Sequence, residues 1–305
     1  QKPVSYQIID GKRIDVPSQF ALKNNVLSFE FPNGYNTDYQ LVIDPVLKFS
    51  TFSGSQSDNF GTTATYDKDG KVYSGGIVFG KSFPITLGAF EVEYSGEVDM
   101  GILKYSADGK TLEYATYLGG RAVEFPHSLI VDNNNELVIL GTTSSDNFPT
   151  TSAAFDRSFA GGADTLATLN GGGTIYFFDS DIVISKLNPT GNTLKASTFF
   201  GGSRTDGVGL RGALRKNYGD EFRGEVITDE QNNIYIASQT RSHDIPNLTS
   251  DVSLQSISNA GLLLKFNSQL STLVWGTAIA GTPFGTSTAF YSLKIAKNGD
   301  IYWFG

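Results

Sequence analysis

The fold of this chain is decided by residues 112–143, which hold a strand-like stretch followed by a hairpin-like one. The first is LEYATYLGG at residues 112–120, and the second is IVDNNNELVILGTT at residues 130–143. Val, Ile, Thr and aromatic residues favour β-strands, and a run of Asp and Asn favours a tight turn. We interpret the segment as a strand that ends in a glycine pair, followed by two strands joined by a polar turn.

Both stretches recur along the chain. The strand-like copies are LKFSTFSG at 47–54, LEYATYLG at 112–119, LKASTFFG at 194–201 and LVWGTAIAG at 273–281. The hairpin-like copies are YDKDGKVY at 66–73, VDNNNELV at 131–138, TDEQNNIY at 228–235 and AKNGDIY at 296–302. A recurrence of this length is typical of repeat architectures in which one small unit is copied.

A third motif closes each unit. Its copies are DMGILKY at 99–105, DIVISKL at 181–187 and AGLLLKF at 260–266. Each begins 13 residues before the next strand-like stretch, whereas the total unit length varies. The variation therefore lies in insertions, of which the two longest are residues 163–180 and 207–226.

Four strands per unit in a meander predict a β-propeller blade. The predicted units are 47–111, 112–193, 194–272 and a partial 273–305. Three complete blades and a partial fourth are too few to close a ring, so we expect a larger ring and a chain that continues beyond Gly305. Residues 1–46 predict a short β meander, the C-terminal part of an N-terminal β domain. The predicted fold class is all-β.

Composition excludes several functions. The net charge is −8 and the pI about 4.8, which argues against nucleic acid, whose binding depends on Lys and Arg. No apolar run approaches the roughly 20 residues of a spanning helix, so we expect no direct membrane insertion. The chain has no Cys, which excludes disulfides, thiolate metal ligands and a Cys nucleophile.

Few residues point to chemistry. The two histidines, His127 and His243, lie in different units, and no Gly-x-Ser-x-Gly elbow accompanies them, so we interpret them as loop residues. The run Asp67 to Gly70 resembles a fragment of a calcium loop but lacks the distal ligands, which favours a hairpin turn. We predict no catalytic, cofactor-binding or metal residues, no cofactor, and no enzyme activity.

The motifs resemble a known bacterial family of seven-bladed β-propeller repeats, abbreviated SBBP. Residues 116–120, 147–151 and 181–187 are similar to its Ser-Thr-Tyr-Leu-Gly-Gly, Phe-Pro-Thr-Thr and Asp-x-x-Val-x-Lys-Leu motifs. The resemblance covers residues 47–305 and departs where Ile245 and Ala280 replace the expected Phe and Gly. Residues 1–46 resemble the end of an uncharacterised β domain that often precedes such propellers.

The resemblance implies a large exported surface protein of Bacteroidota that is a substrate of type IX secretion and is linked to adhesion or gliding motility. Our leading hypothesis is therefore a non-catalytic binding or scaffolding module at the cell surface or outside the cell. Its expected partners are a protein or surface glycan, held by insertions 163–180 and 207–226, and outer-membrane secretion components. The alternatives are a polysaccharide-active hydrolase or lyase with paired carboxylates in a central cleft, and a structural stalk.

Overall fold

The structure is a computed structural model of the chain, and it describes residues 4–23, 26–44, 49–161, 179–209, 221–245, 247–250, 259–280 and 288–305. These residues form 20 β-strands and no helix. The strands are β1 (Val4–Ile9), β2 (Lys12–Asp15), β3 (Gln19–Lys23), β4 (Val26–Glu30), β5 (Leu41–Asp44), β6 (Asn59–Tyr66), β7 (Val72–Val78), β8 (Asp99–Tyr105), β9 (Leu112–Leu118), β10 (Glu124–Val131), β11 (Leu137–Thr143), β12 (Asp181–Leu187), β13 (Leu194–Phe200), β14 (Glu225–Thr228), β15 (Ile234–Thr240), β16 (Thr249–Ser250), β17 (Ala260–Phe266), β18 (Leu273–Ile279), β19 (Ser292–Ile295) and β20 (Ile301–Phe304).

The chain divides into two compact units, Gln1–Ser50 and Thr51–Gly305. The first unit holds a three-stranded sheet of order β2-β1-β5 and a separate hairpin of β3 and β4. Its first turn is built on Asp10 and Gly11, whose φ angles of 50° and 74° suit the tight hairpin turn that an Asp-Gly pair favours. The predicted meander is thus present as two small sheets.

The second unit consists of antiparallel meanders. Its sheets run β6-β7-β8-β9, β10-β11-β12-β13 and β14-β15-β17-β18, with the short β16 pairing parallel to β18, and a final pair of β19 and β20. We call them sheets 1 to 4. The predictions of an all-β fold and of four-stranded antiparallel sheets are confirmed, and no sheet is closed on itself.

Each sheet is offset by one strand from the sequence unit. The strand-like stretch that opens a unit pairs with the closing strand before it, as Leu118 of β9 pairs with Met100 of β8. The first copy has no closing strand before it in the sequence. Residues 49–54 form no strand, so the strand predicted at 47–54 is wrong over these six residues, whereas 47 and 48 lie outside the described part. A strand requires a paired neighbour to be stable.

The core lies between the faces of successive sheets. Sheets 1 and 2 share a buried cluster that includes Tyr73, Met100 and Leu118 on one side and Leu137 and Phe199 on the other. Sheets 2 and 3 share a second cluster, and sheet 3 packs against β19 and β20 through a third. Sheets 2 and 3 are covered by a sheet on both faces, and the outer face of sheet 1 is covered by Phe83 and Tyr94 from the connection between β7 and β8. Strands β8, β11, β12 and β15 are therefore buried at every position.

The hairpin turns depend on one aspartate each. The Oδ1 atom of Asp132 accepts backbone N–H bonds from the second and fourth residues after it, at 2.8 and 3.0 Å. Asp67 and Asp229 make the same two bonds within 3.0 Å. This geometry closes the turn around a side chain, which is the known role of Asp in such turns. The run Asp67 to Gly70 is therefore a hairpin turn, as the sequence indicated.

Candidate functional site

The first strands of the four sheets surround a cavity of about 590 Å³. In the second unit β6 contacts β10, β10 contacts β14, and β14 contacts β19. The cavity is lined by residues 60–62 of β6, Phe125 and His127 of β10, residues 222–224 before β14, and residues 291–292 at the start of β19. Every sheet thus contributes to its wall through the same end of its first strand.

Three phenylalanines hold equivalent places in this wall. Phe60, Phe125 and Phe222 each stand seven residues before the aspartate of the following turn. Phe125 and Phe222 stack with ring centroids 4.1 Å apart and are buried, while Phe60 is 50% exposed. The sequence analysis missed them. The constant spacing to the turn aspartate was the signal that identifies them.

Two β-bulges aim polar residues at the same cavity. The pairing of β6 with β7 shifts between Gly61 and Thr63, and that of β10 with β11 shifts between Pro126 and Ser128. The extra residues are Thr62 and His127, each five residues before its turn aspartate. Bulges of this kind re-aim a side chain and are frequent beside functional sites.

The other two sheets place different residues at the same distance before the turn, just ahead of the first paired residues of β14 and β19. Five residues before the turn, sheet 3 has Gly224 and sheet 4 has Tyr291, where Ala296 takes the place of the turn aspartate. The backbone bond from Ala296 N to Asp300 O, 2.8 Å, matches the bond from Asp132 N to Glu136 O in sheet 2. Thr, His, Gly and Tyr therefore occupy one structural position and face one cavity.

His127 is the buried polar group of this wall. Its Nε2 lies 3.3 Å from the Thr142 hydroxyl, and its Nδ1 has no hydrogen-bond partner among the described residues. Burial lowers the pKa of the imidazole to about 3, so the ring is neutral. Gly224 faces Nδ1, since a Cβ placed on Gly224 would lie 3.5 Å from that atom.

The remaining polar groups of the wall come from sheets 3 and 4. The guanidinium carbon of Arg223 lies 5.8 Å from the centre of the Tyr291 ring, a cation–π distance. The hydroxyl of Ser292 donates to Glu225 at 2.7 Å. None of the described residues that line the cavity is Asp or Glu. The site thus offers aromatic faces, hydroxyls and N–H groups.

Two pairs of carboxyl groups lie at the junctions between sheets. Asp99 and Glu124 approach each other between sheets 1 and 2, and Asp181 and Asp206 do so between sheets 2 and 3. In both pairs the two residues are 25 positions apart. All four residues are completely buried. One oxygen of Asp99 and one of Asp181, the Oδ1 atoms, have no hydrogen-bond partner among the described residues.

Burial dominates the protonation of these pairs. Desolvation raises the pKa of Asp99 to about 6 and that of Glu124 to about 7. At the second junction it raises the pKa of Asp181 to about 8 and that of Asp206 to about 7. Hydroxyl and backbone donors partly offset the desolvation, as Ser145 Oγ does for Glu124 at 2.5 Å.

The carboxyl pairs do not lie where the hydrolase alternative requires them. A glycosidase pair must flank a sugar in an open cleft. Asp99, Glu124, Asp181 and Asp206 lie inside closed junctions, and the same arrangement occurs twice. Within the described part of the chain, no three of His, Cys, Asp and Glu are grouped as a metal ion needs.

The two histidines are not brought together as a catalytic pair. His127 lies in β10 beside a hydroxyl, whereas His243 follows β15 next to Asp244, whose pKa is lowered chiefly by the backbone N–H of Ser203. His127 is therefore a strand residue, and its prediction as a loop residue is wrong. As the extra residue of the bulge, His127 has no ladder partner in β11, and its side chain lines the cavity.

The two predicted partner-binding insertions are described only at their ends. Residues 163–178 and 210–220 lie outside the described residues. At the end of the first insertion, Ser180 and Asp206 exchange backbone and side-chain bonds of 2.7 and 2.9 Å, which ties 163–180 to the base of 207–226. The second insertion leads into Phe222 and Gly224, so its described end forms part of the cavity wall.

None of the described residues forms a helix with the length and apolar character that crossing a membrane requires.

Comparisons with known proteins cover the two units unequally. Residues 1–46 match a family described as a domain of unknown function, DUF7948. No curated protein matches the chain. A crystal structure of a protein of unknown function from Dyadobacter fermentans DSM 18053 aligns with 99% of this chain and 75% of its own, at 9% identity and a TM-score of 0.42. The match to a family model therefore lies within the first unit.

Proposed function

We propose that this chain is a non-catalytic binding or scaffolding module whose four sheets are blades of a β-propeller. The observation that carries the proposal is the cavity at the first strands, where one repeated framework presents Thr62, His127, Gly224 and Tyr291. A repeated scaffold with divergent residues and insertions on one side is typical of recognition proteins. The face-to-face packing of successive meanders supports the propeller.

The same proposal places the module in a large exported protein of the bacterial cell surface. Its support is the resemblance of residues 47–305 to the SBBP repeats of Bacteroidota, together with a first unit of the kind that precedes such propellers. Export by the type IX system, with a role in adhesion or gliding motility, follows from that resemblance. The expected partners are a surface protein or glycan and outer-membrane secretion components.

The insertions provide the test of partner binding. Replacing residues 164–177 or 211–219 by a short Gly-Ser linker leaves the described strands and the cavity wall intact. We expect either replacement to reduce attachment of protein-coated beads to the producing cells or to their isolated surface material. The matched control is Leu87→Ala, a fully exposed residue outside both insertions. Undiminished attachment of both replacements would contradict the proposed partner surface.

A further inference from the structure

We propose that the cavity at the first strands binds one ring of an uncharged saccharide. The inference rests on the proposed function of a binding module and names the ligand class of its central site. Seven residues before the turn, sheets 1 to 3 each place a phenylalanine in the cavity wall, Phe60, Phe125 and Phe222. Two residues later along the chain, the four sheets carry four different residues that line the same cavity, which is the pattern of a ligand-contacting position on a repeated scaffold.

An unpartnered polar atom indicates that the cavity accepts a hydrogen-bonding ligand. His127 is 92% buried, since its relative exposure is 8%, and its Nδ1 lacks a partner. A buried polar atom without a partner costs free energy, and such atoms usually have a ligand, water or protein group opposite them. Gly224 itself places no side chain against Nδ1, and the Leu140 side chain and the Ala237 carbonyl border the same space. A sugar hydroxyl can both donate and accept, so it pairs with either tautomer of the ring.

The aromatic side chains suit the apolar face of a sugar ring. Phe60 is half-exposed at the cavity, and the stacked rings of Phe125 and Phe222 stand beside it. The electron-rich faces of such rings attract the C–H groups on one side of a pyranose. The hydroxyls and N–H groups of Tyr291 and Arg223 supply partners for the ring's own hydroxyls. A volume of about 590 Å³ lies in the usual range of small-molecule sites.

The charges favour an uncharged sugar over an acidic one. The protein carries a net charge of −8, which repels anions at long range. The His127 ring, neutral because burial lowers its pKa to about 3, adds no positive charge. Among the described residues of the wall Arg223 is the cation, and it already lies against the Tyr291 ring. The site therefore recognises shape and hydroxyls rather than a carboxylate.

The test is a titration of the full 305-residue chain with single sugars. The probes are the methyl glycosides of glucose, galactose and N-acetylglucosamine, with glucuronate and N-acetyltyrosinamide as competitors, all followed by saturation-transfer NMR. We expect at least one neutral glycoside to bind with a dissociation constant on the order of 1 mM. Phe60→Ala weakens that binding by roughly two- to tenfold, the range of one aromatic contact. His127→Phe keeps an aromatic ring at this position, removes both ring nitrogens and weakens the binding further.

Controls separate this site from a general effect on folding. Phe52→Ala removes an almost fully exposed phenylalanine that does not line the cavity, and it leaves sugar binding unchanged. Thermal melts of all variants identify any that fail to fold, and Phe60→Ala, at a half-exposed site, keeps the test valid if His127→Phe unfolds. The proposal is overturned by no binding of any neutral glycoside at tens of millimolar, by preference for glucuronate or N-acetyltyrosinamide, or by binding that neither variant alters.

The outcomes distinguish this inference from the proposed function. The insertion replacements at 164–177 and 211–219 retain sugar binding if the cavity is the site, because they leave its described wall in place. Loss of partner attachment together with absent sugar binding refutes the inference alone. Sugar binding with unchanged partner attachment refutes the insertions as the partner surface and leaves the cavity standing.

Discussion

The glycine pair of the repeat is required by the carboxyl groups beside it. A Cβ on Gly119 would lie 2.5 Å from Asp99 Oδ1 and 2.7 Å from Glu124 Oε2, and a Cβ on Gly201 would meet Asp181 and Asp206 in the same way. The second glycine donates its N–H to the later carboxyl group, as Gly120 does to Glu124 at 2.9 Å. The recurring glycine pair therefore allows two buried carboxyl groups to approach the backbone closely.

Substitution of this glycine tests the close approach. We expect Gly119→Ala to lower the free energy of unfolding by about 1–3 kcal/mol, because the added methyl group displaces a buried carboxyl group. The measurement is urea denaturation. Gly61→Ala is the control, since a Cβ there meets nothing within 4 Å. Equal stability of the two variants would show that the carboxyl pair moves without cost.

The lysine of the closing motif has a matching structural role. Lys186 is buried and lies 2.8 Å from Asp132 and 3.1 Å from Glu136, so it joins the closing strand to the turn aspartate. Lys265 meets Asp229 at 3.7 Å in sheet 3. Lys104 instead pairs with Glu113 at 3.4 Å and donates to the Pro189 carbonyl at 2.9 Å. The lysine at this sequence position thus forms a salt bridge in all three sheets, to the turn aspartate in sheets 2 and 3 and to Glu113 in sheet 1.

Substitution of the buried Lys186 measures its contribution to the stability of the fold. Lys186→Met leaves two acidic groups without their cation, so we expect the free energy of unfolding to fall by about 3–5 kcal/mol. Lys110→Met is the matched control, because the Lys110–Asp108 pair, 3.6 Å apart, is exposed and should produce no measurable change. Chemical denaturation of both variants at one pH provides the comparison. A Lys186→Met protein as stable as the control would refute the structural role.

The carboxyl pairs make stability depend on pH in an unusual direction. Burial raises the pKa of Asp206 to about 7 from an ordinary value of 3.8. Between pH 3.8 and 7 the folded protein thus keeps a proton on Asp206 that the unfolded chain has lost. The contribution of Asp206 to the free energy of unfolding is complete below pH 3.8 and disappears as the pH rises through 7. We expect wild type to lose stability relative to Asp206→Asn by up to about 1.4 kcal/mol per pH unit in this window.

Urea denaturation between pH 4 and 8 measures this slope. His127 acts in the opposite sense, since burial lowers its pKa to about 3 and its contribution is lost as the pH falls below 6.5. His127 is present in both proteins, so the difference in free energy of unfolding between wild type and Asp206→Asn reports on Asp206. Parallel stability curves for the two proteins would show that Asp206 is ionised in the fold.

Among the elements, position within a sheet determines how firmly each strand is held. In the described part of the chain β12 is buried at all seven positions and pairs on both sides, with β11 and β13. By contrast β20 pairs with β19 and exposes Tyr302, Trp303 and Phe304. Local opening follows burial and pairing, so these two strands should differ widely in stability.

Amide hydrogen exchange tests this difference between the strands. We expect the amides of β12 to exchange only through global unfolding, and those of β20 to exchange faster by orders of magnitude. The two strands lie in the same unit, so each is the internal control for the other. Comparable protection in both would mean that β20 is held by contacts that its pairing does not reveal.

At the scale of the whole molecule, the second unit has its own core. The five buried clusters consist of residues between 73 and 301, all within Thr51–Gly305. In the first unit the buried residues described are Ser5, Gln7, Val16 and Ser18, of which one is apolar. Burial of apolar surface is the main favourable contribution to folding, so the second unit carries most of it.

A fragment of residues 51–305 tests the independence of that core. We expect it to retain strand content by circular dichroism and one cooperative thermal transition, because its clusters are internally complete. The full chain is the reference. A fragment without a cooperative transition would show that residues 1–50 are needed to complete the fold.

Local pattern predicted the strands, the hairpin turns and the all-β class. Turns at Asp67, Asp132 and Asp229 are built from residues within four positions of one another, and strand alternation is equally local. The pairing of strands was less predictable. The units defined from the sequence end before β9, β13 and β18, whereas in the structure each of these strands is the last strand of the preceding sheet. The sequence alone does not show at which strand a repeated unit begins.

Tertiary structure alone decided the site. Phe60, Phe125 and Phe222 are separated by 65 and 97 residues, and only the packing of first strands brings them to one cavity. The bulges that direct Thr62 and His127 into the cavity arise from the pairing of β6 with β7 and of β10 with β11. The identities of these two residues do not predict that pairing. The sequence determined the unit and its copies, because these depend on neighbouring residues. The tertiary structure decided which copies of the unit pack together, because that packing depends on the burial of residues far apart in the sequence.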